Sequence, residues 1–109
     1  MVMIYQRMLK MIRRKYRFKR KPGMNEAETY ARVEVTWLDT FSDSSWLDTN
    51  EFIKTKPKIC KTSGRLYKRK EGVTYIFGDW SLDDEGNIDT FGNVTVIPNV
   101  LIKEIKVIK

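Results

Sequence analysis

The chain has no histidine, one cysteine (Cys60) and three prolines among its 109 residues. Without histidine, the side chain whose ordinary pKa lies nearest neutrality is missing, so acid–base catalysis is poorly supported. A lone Cys60 has no histidine to activate it, which argues against a cysteine nucleophile. It also excludes an internal disulfide and leaves zinc without its usual ligands; Cys60 reads as a buried strand thiol. No apolar run approaches the roughly 18–20 residues of a membrane-spanning helix. The N-terminus lacks the apolar stretch and small-residue cleavage site of a secretory signal. No glycine-rich phosphate loop of the G-x-x-x-x-G-K-[ST] kind occurs. Asp79, Asp83, Asp84, Glu85 and Asp89 do not have calcium-loop spacing and read as a solvated hairpin tip. These absences lead to the expectation of a non-enzymatic protein without cofactor or metal, in a reducing intracellular compartment.

What is present is an uneven charge. The net charge is +7 and the pI about 9.6. Nine bases fall within residues 1–23 without a single acid: Arg7, Lys10, Arg13, Arg14, Lys15, Arg17, Lys19, Arg20 and Lys21. The twelve other bases face all fourteen acids, so residues 24–109 carry −2. The expected organisation is a basic amphipathic arm, 1–23, and a small domain, 24–109. Met1, Tyr5, Met8, Ile12 and Tyr16 recur about one helical turn apart, which predicts a helix over 1–21, stopped by Pro22-Gly23. The nine bases are the candidate nucleic-acid-binding residues. The same pattern suits a helix packed on the body with a solvated basic face, or one lying on an anionic membrane surface. Met24 could also serve as a second start.

The body reads as β. Residues 30–38 alternate, with Ala31, Val33, Val35 and Trp37 on the inward face. A turn-rich loop over 39–45 and Trp46 follow, then Asp48-Thr-Asn-Glu51, which resembles a capping box and predicts a short helix over 49–55 that acts as a lid. A second strand spans 58–67 with a bend at Ser63-Gly64, and 68–72 form a hairpin tip. The third strand spans 73–80, with Val73, Tyr75 and Phe77 on one face. Trp37 and Tyr75 read as buried. A loop over 81–89 leads to a fourth strand over 91–97, a 3₁₀ turn at Pro98 and a fifth strand over 102–108 with Ile102, Ile105 and Val107 inward. Such a chain is expected to pair its last strand near its first, as a five-stranded SH3-like barrel preceded by the basic helix or arm. Gly92-x₅-Pro98-x-x-Leu101 is similar to the end of SH3 domains. In those the spacing is shorter, and a tyrosine sits where Val100 or Leu101 stands. An OB-like or Sm-like barrel leaves nearly the same trace.

Phe41 and Trp46, with Arg65, Lys68 and Arg69 taken as nearby, form a candidate binding surface able to stack bases or a nucleotide. The plainer reading is that the two aromatics plug the end of the barrel.

The residues Val35-Thr-Trp-Leu-Asp39, Trp46, Pro57, Cys60-Lys-Thr-Ser-Gly64, Asp79-Trp-Ser81 and Gly92-Asn-Val-Thr-Val-Ile-Pro98 resemble a family of small proteins of tailed bacteriophages and prophages. Members usually lack the basic arm. The resemblance implies a phage origin and an accessory role, and carries over no functional residues. The expected function is an accessory protein whose arm engages nucleic acid or a nucleic-acid-rich host or virion assembly. A virion structural protein with a threading arm, and a counter-defence module that sequesters a nucleotide or blocks a host protein, stand beside it.

Overall fold

The computed structural model describes residues 16–42 and 44–108. Five strands follow in chain order: β1 (Arg32–Asp39), β2 (Lys58–Lys70), β3 (Val73–Leu82), β4 (Ile88–Pro98) and β5 (Ile102–Val107). One short helix, α1 (Thr49–Lys54), interrupts them. All neighbours are antiparallel, in the order β4-β3-β2-β1-β5, so among the described residues β4 and β5 are the two edges and hydrogen bonds do not close the sheet.

The last strand does return to the first. β4 ends in a 3₁₀ turn (Asn99–Leu101), and β5 then pairs with β1. The pairing skips a residue: Thr36 faces Glu104 and Trp37 faces Ile102. Lys103 is the extra residue, and its insertion lets both Ile102 and Ile105 turn to the core without strict alternation. The apolar alternation of β1 works as expected. Ala31, Val33 and Val35 are buried with Leu66, Ile76 and Ile97, and Trp37, Ile102, Ile105 and Val107 pack around them.

A second cluster lies around Phe77 and includes Ala27 and Tyr30, with Trp80 and Ile88 beside them. Ile76 and Phe77 are both buried though adjacent, so β3 is covered on both faces at that point. Residues 25–30 supply part of that cover. Asn25 and Glu28 brace a 3₁₀ turn (Ala27–Thr29), the side chain of each accepting the backbone N–H of the other. Glu26 ties the turn to the β3–β4 loop, donating its N–H to the Gly86 carbonyl and accepting the Ile88 N–H on its carboxylate.

Several expectations need correction. Tyr75 is not buried but 38% exposed, and its neighbours Thr74 and Ile76 are the inward residues. Trp37 and Cys60, register partners across β1 and β2, are only half-buried. β2 is not interrupted at Gly64: it runs on to Lys70, passing from β1 to β3 at Arg65, and its register shift lies between Leu66 and Lys68. The hairpin tip is the two-residue turn Glu71-Gly72, with φ of 52° and 80°. Positive φ at both positions twists a tight turn in the sense of the strands it joins, and glycine adopts it without strain.

Residues 17–21 of the helix expected over 1–21 are not helical. Arg17 forms an antiparallel bridge with Tyr30 instead. Residues 1–15 of that expectation lie outside the described residues. Among the described residues, no helix is long and apolar enough to cross a membrane.

Candidate functional site

The C-terminal end of β2 extends past β1, whose pairing with β2 ends at Arg32 and Arg65. Beyond that point the strand carries Tyr67, Lys68, Arg69 and Lys70. The space on that side is bounded by Tyr16 and Arg17 of the N-terminal segment. Together with Asn99 these residues line a cleft of about 820 Å³. Among the described residues, four cations and one acid, Glu71, therefore border one groove.

Hydrogen bonds hold two of the cations. Arg69 donates from Nε to the Thr74 hydroxyl at 3.0 Å, and that buried hydroxyl donates to Asn99 Oδ1 at 2.6 Å. Arg17 donates from Nε to the Thr29 hydroxyl at 2.9 Å, and its guanidinium lies 3.9 Å from the centre of the Tyr30 ring. Main-chain bonds from Phe18 to the Thr29 carbonyl and from Ala31 to the Tyr16 carbonyl keep this segment alongside 29–31. Anchoring through Nε fixes the orientation of each guanidinium before any ligand arrives, which lowers the entropy lost on binding. The Lys70–Glu71 pair, 4.0 Å apart and well exposed, contributes little.

The candidate arm residues divide. Arg7, Lys10, Arg13, Arg14 and Lys15 lie outside the described residues. Arg17 lines the cleft. Lys19 and Lys21 are exposed. Arg20 is clasped by the body: it donates to the Met24 carbonyl at 3.0 Å, Asn87 Oδ1 at 2.6 Å and the Glu85 carbonyl at 2.8 Å. Its role here is to staple the N-terminal segment to the β3–β4 loop. The expected boundary at residue 23 therefore cuts through contacts that connect 16–20 to the body. In that loop the Asp83 carboxylate accepts the N–H groups of Glu85 and Asn87, so it serves the turn itself.

The second candidate surface does not assemble as expected. Phe41 and Trp46 sit in the connection beyond Asp39, where β1 pairs with Lys58, whereas Arg65 pairs with Arg32 at the other end. Seven strand residues separate the two groups, roughly 23 Å. Arg65 instead donates to the Tyr30 carbonyl at 2.8 Å and lies over the Trp80 ring. Burial, then the neighbouring charge of Arg32, lowers its pKa; a guanidinium stays protonated all the same. Nor do the two aromatics plug the sheet. Trp46 is 100% exposed and Phe41 is exposed too. Phe41 and Phe52 line a shallow depression of about 690 Å³ beside α1, which has no buried residue. Asp48 caps α1 by accepting the Glu51 N–H at 2.8 Å, and that bond is the main cause of its lowered pKa.

No family model, curated protein or solved structure matches the chain.

Tyr30 links the cleft to the second core cluster. Burial pushes its phenol above the ordinary 10.0, opposed by the Arg17 charge. The folded chain therefore holds this proton more tightly than the unfolded chain. Its contribution to stability is complete below pH 10 and declines as pH rises above that value. Urea midpoints measured from pH 8 to 11 should fall at the alkaline end. Tyr30→Phe should fall less over the same range, a comparison that removes the background from lysine titration.

Proposed function

We propose that the protein is a non-enzymatic phage accessory module that holds nucleic acid against the cleft between its N-terminal segment and the β2–β3 hairpin. The observation that carries this is the meeting of Lys68, Arg69 and Lys70 with Arg17, the point at which the basic segment joins the body. Two groups of cations 51 or more residues apart in sequence thus border one groove. A polyanion is the ligand that best relieves such a concentration of like charge. In this reading the sheet is an SH3-like barrel, which the return of β5 to β1 through a 3₁₀ turn supports.

Removing residues 1–23 is a poor test, since it also removes the contacts of Tyr16, Arg17 and Arg20. The better one keeps the full chain and replaces Lys68, Arg69 and Lys70 together with alanine. For the unaltered chain, affinity for a nucleic-acid probe should fall by about 10³-fold or more between 50 and 200 mM salt if about six phosphates are contacted. The triple variant should lose about 2 to 3 units of the slope of log K against log salt. An unchanged slope and affinity in a folded triple variant would remove the cleft from the reading.

A second reading, docking to a virion or host protein, is favoured by the exposure of Phe41, Trp46, Phe52 and Ile53, all within the connection between β1 and β2. Recovery of the chain at fixed stoichiometry in purified particles, unchanged by the triple substitution, would favour it over the first.

A further inference from the structure

The floor beside the basic cleft is aromatic. Tyr67, which lines the cleft, is 37% exposed, and Phe91 is 43% exposed. Their ring centres are 5.0 Å apart with planes inclined by 67°. Both lean on Phe77, which is 1% exposed and 6.5 Å from Tyr67 and 5.0 Å from Phe91. Tyr30 braces Tyr67 at 5.3 Å.

The β2 bulge puts Tyr67 there. Leu66 faces Ile76 and Lys68 faces Tyr75, so Tyr67 has no opposite partner. A strand without the extra residue would send Tyr67 and Lys68 to opposite faces. Here Lys68 shares the face of Tyr75, two residues from Phe77, while the Tyr67 ring contacts Phe77 itself. The inserted residue thus places a ring and an adjacent cation on one face. The Lys68 Nζ lies 5.7 Å from the Tyr67 ring centre.

Resting on the polyanion reading of the cleft, we propose that Tyr67 and Phe91 stack bases of single-stranded nucleic acid while the cleft cations contact its phosphates. Exposed rings on a fixed floor, flanked by positive charge, suit bases whose faces are free. In a duplex those faces are hidden against neighbouring bases. The inclination of the two rings also demands bases splayed from one another, which an unpaired strand allows.

The test uses the full chain with a 20-nucleotide oligothymidylate, the matching oligouridylate and a mixed-sequence duplex of the same length. Both single strands should bind more tightly than the duplex, and their ratio reports whether DNA or RNA is preferred. Tyr67→Ala and Phe91→Ala should each weaken single-strand binding about 5- to 100-fold. Tyr67→Leu, which keeps apolar bulk without a π face, should lose as much, whereas Tyr67→Phe and Phe91→Trp should retain it. The salt slope should not change in Tyr67→Phe or Tyr67→Leu. Thermal melts identify any variant that does not fold, and the leucine and phenylalanine pair then decides. If Tyr67→Leu binds as the unaltered chain does, or the duplex binds as tightly as the single strands, stacking is overturned while salt-dependent binding keeps the cleft reading. If no probe binds at 50 mM salt, both are overturned.

Discussion

Phe77→Ala should lower the free energy of unfolding by about 3–5 kcal/mol, the usual cost of emptying a buried phenylalanine site. Phe77 is buried where β3 is covered on both sides, and four rings surround it: Tyr30, Tyr67, Trp80 and Phe91, all with centres within 6.5 Å. Those neighbours come from the bridge at Tyr30, from β2, from β4 and from β3 itself, and the backbone pairing of each segment keeps them from collapsing into the gap. Edge-to-face contacts add to the loss, since their geometry depends on the central ring. Domains of this size have about 5–15 kcal/mol in total, so the variant should melt far below the unaltered chain or fail to accumulate. Denaturant titration measures it. Phe77→Leu, which fills most of the volume, should recover much of the stability but little of the support beneath Tyr67 and Phe91.

Gly64→Ala should cost about 3 kcal/mol, although alanine is ordinarily the better strand residue by roughly 0.5–1 kcal/mol. The reason is space. A Cβ at this position would lie 2.6 Å from Ile76 Cγ2 and 2.8 Å from the Phe77 carbonyl oxygen. The Ile76 methyl belongs to a buried side chain, and the carbonyl belongs to β3 itself. Relief requires moving one strand against the other, which disturbs both core clusters. The urea midpoint of Gly64→Ala checks this. A midpoint equal to or above that of the unaltered chain would mean that β3 yields more easily than its packing implies.

The two positions differ in how they could be read from sequence. Alternation put Phe77 on one face with Val73 and Tyr75 but did not mark it as the buried ring of the three, which it is. Gly64 suggested a bend, because glycine within a strand pattern signals either a bulge or a close approach. The close approach is what occurs, and the bulge lies at Tyr67, which bears no sequence mark. Tyr75 was misread because Tyr75 and Phe77 share a face, but the second cluster covers that face only around Phe77. Asp48 and Glu51 marked the start of α1 correctly, since capping chemistry is local.

The order of residues alone determined the succession of the strands, that the last returns after a 3₁₀ turn, and that positive charge concentrates ahead of a nearly neutral body. Those features follow from short-range periodicity and from counting charges. Tertiary structure alone decided which cations meet: Lys68 to Lys70 border a cleft with Arg17, Arg20 staples the N-terminal segment to a distant loop, and Arg65 is separated from Trp46 by the length of a strand pair. The physical reason is that alternation assigns a face but neither the register nor a one-residue insertion. The insertion at Tyr67 turns a ring and its neighbouring lysine toward the same side.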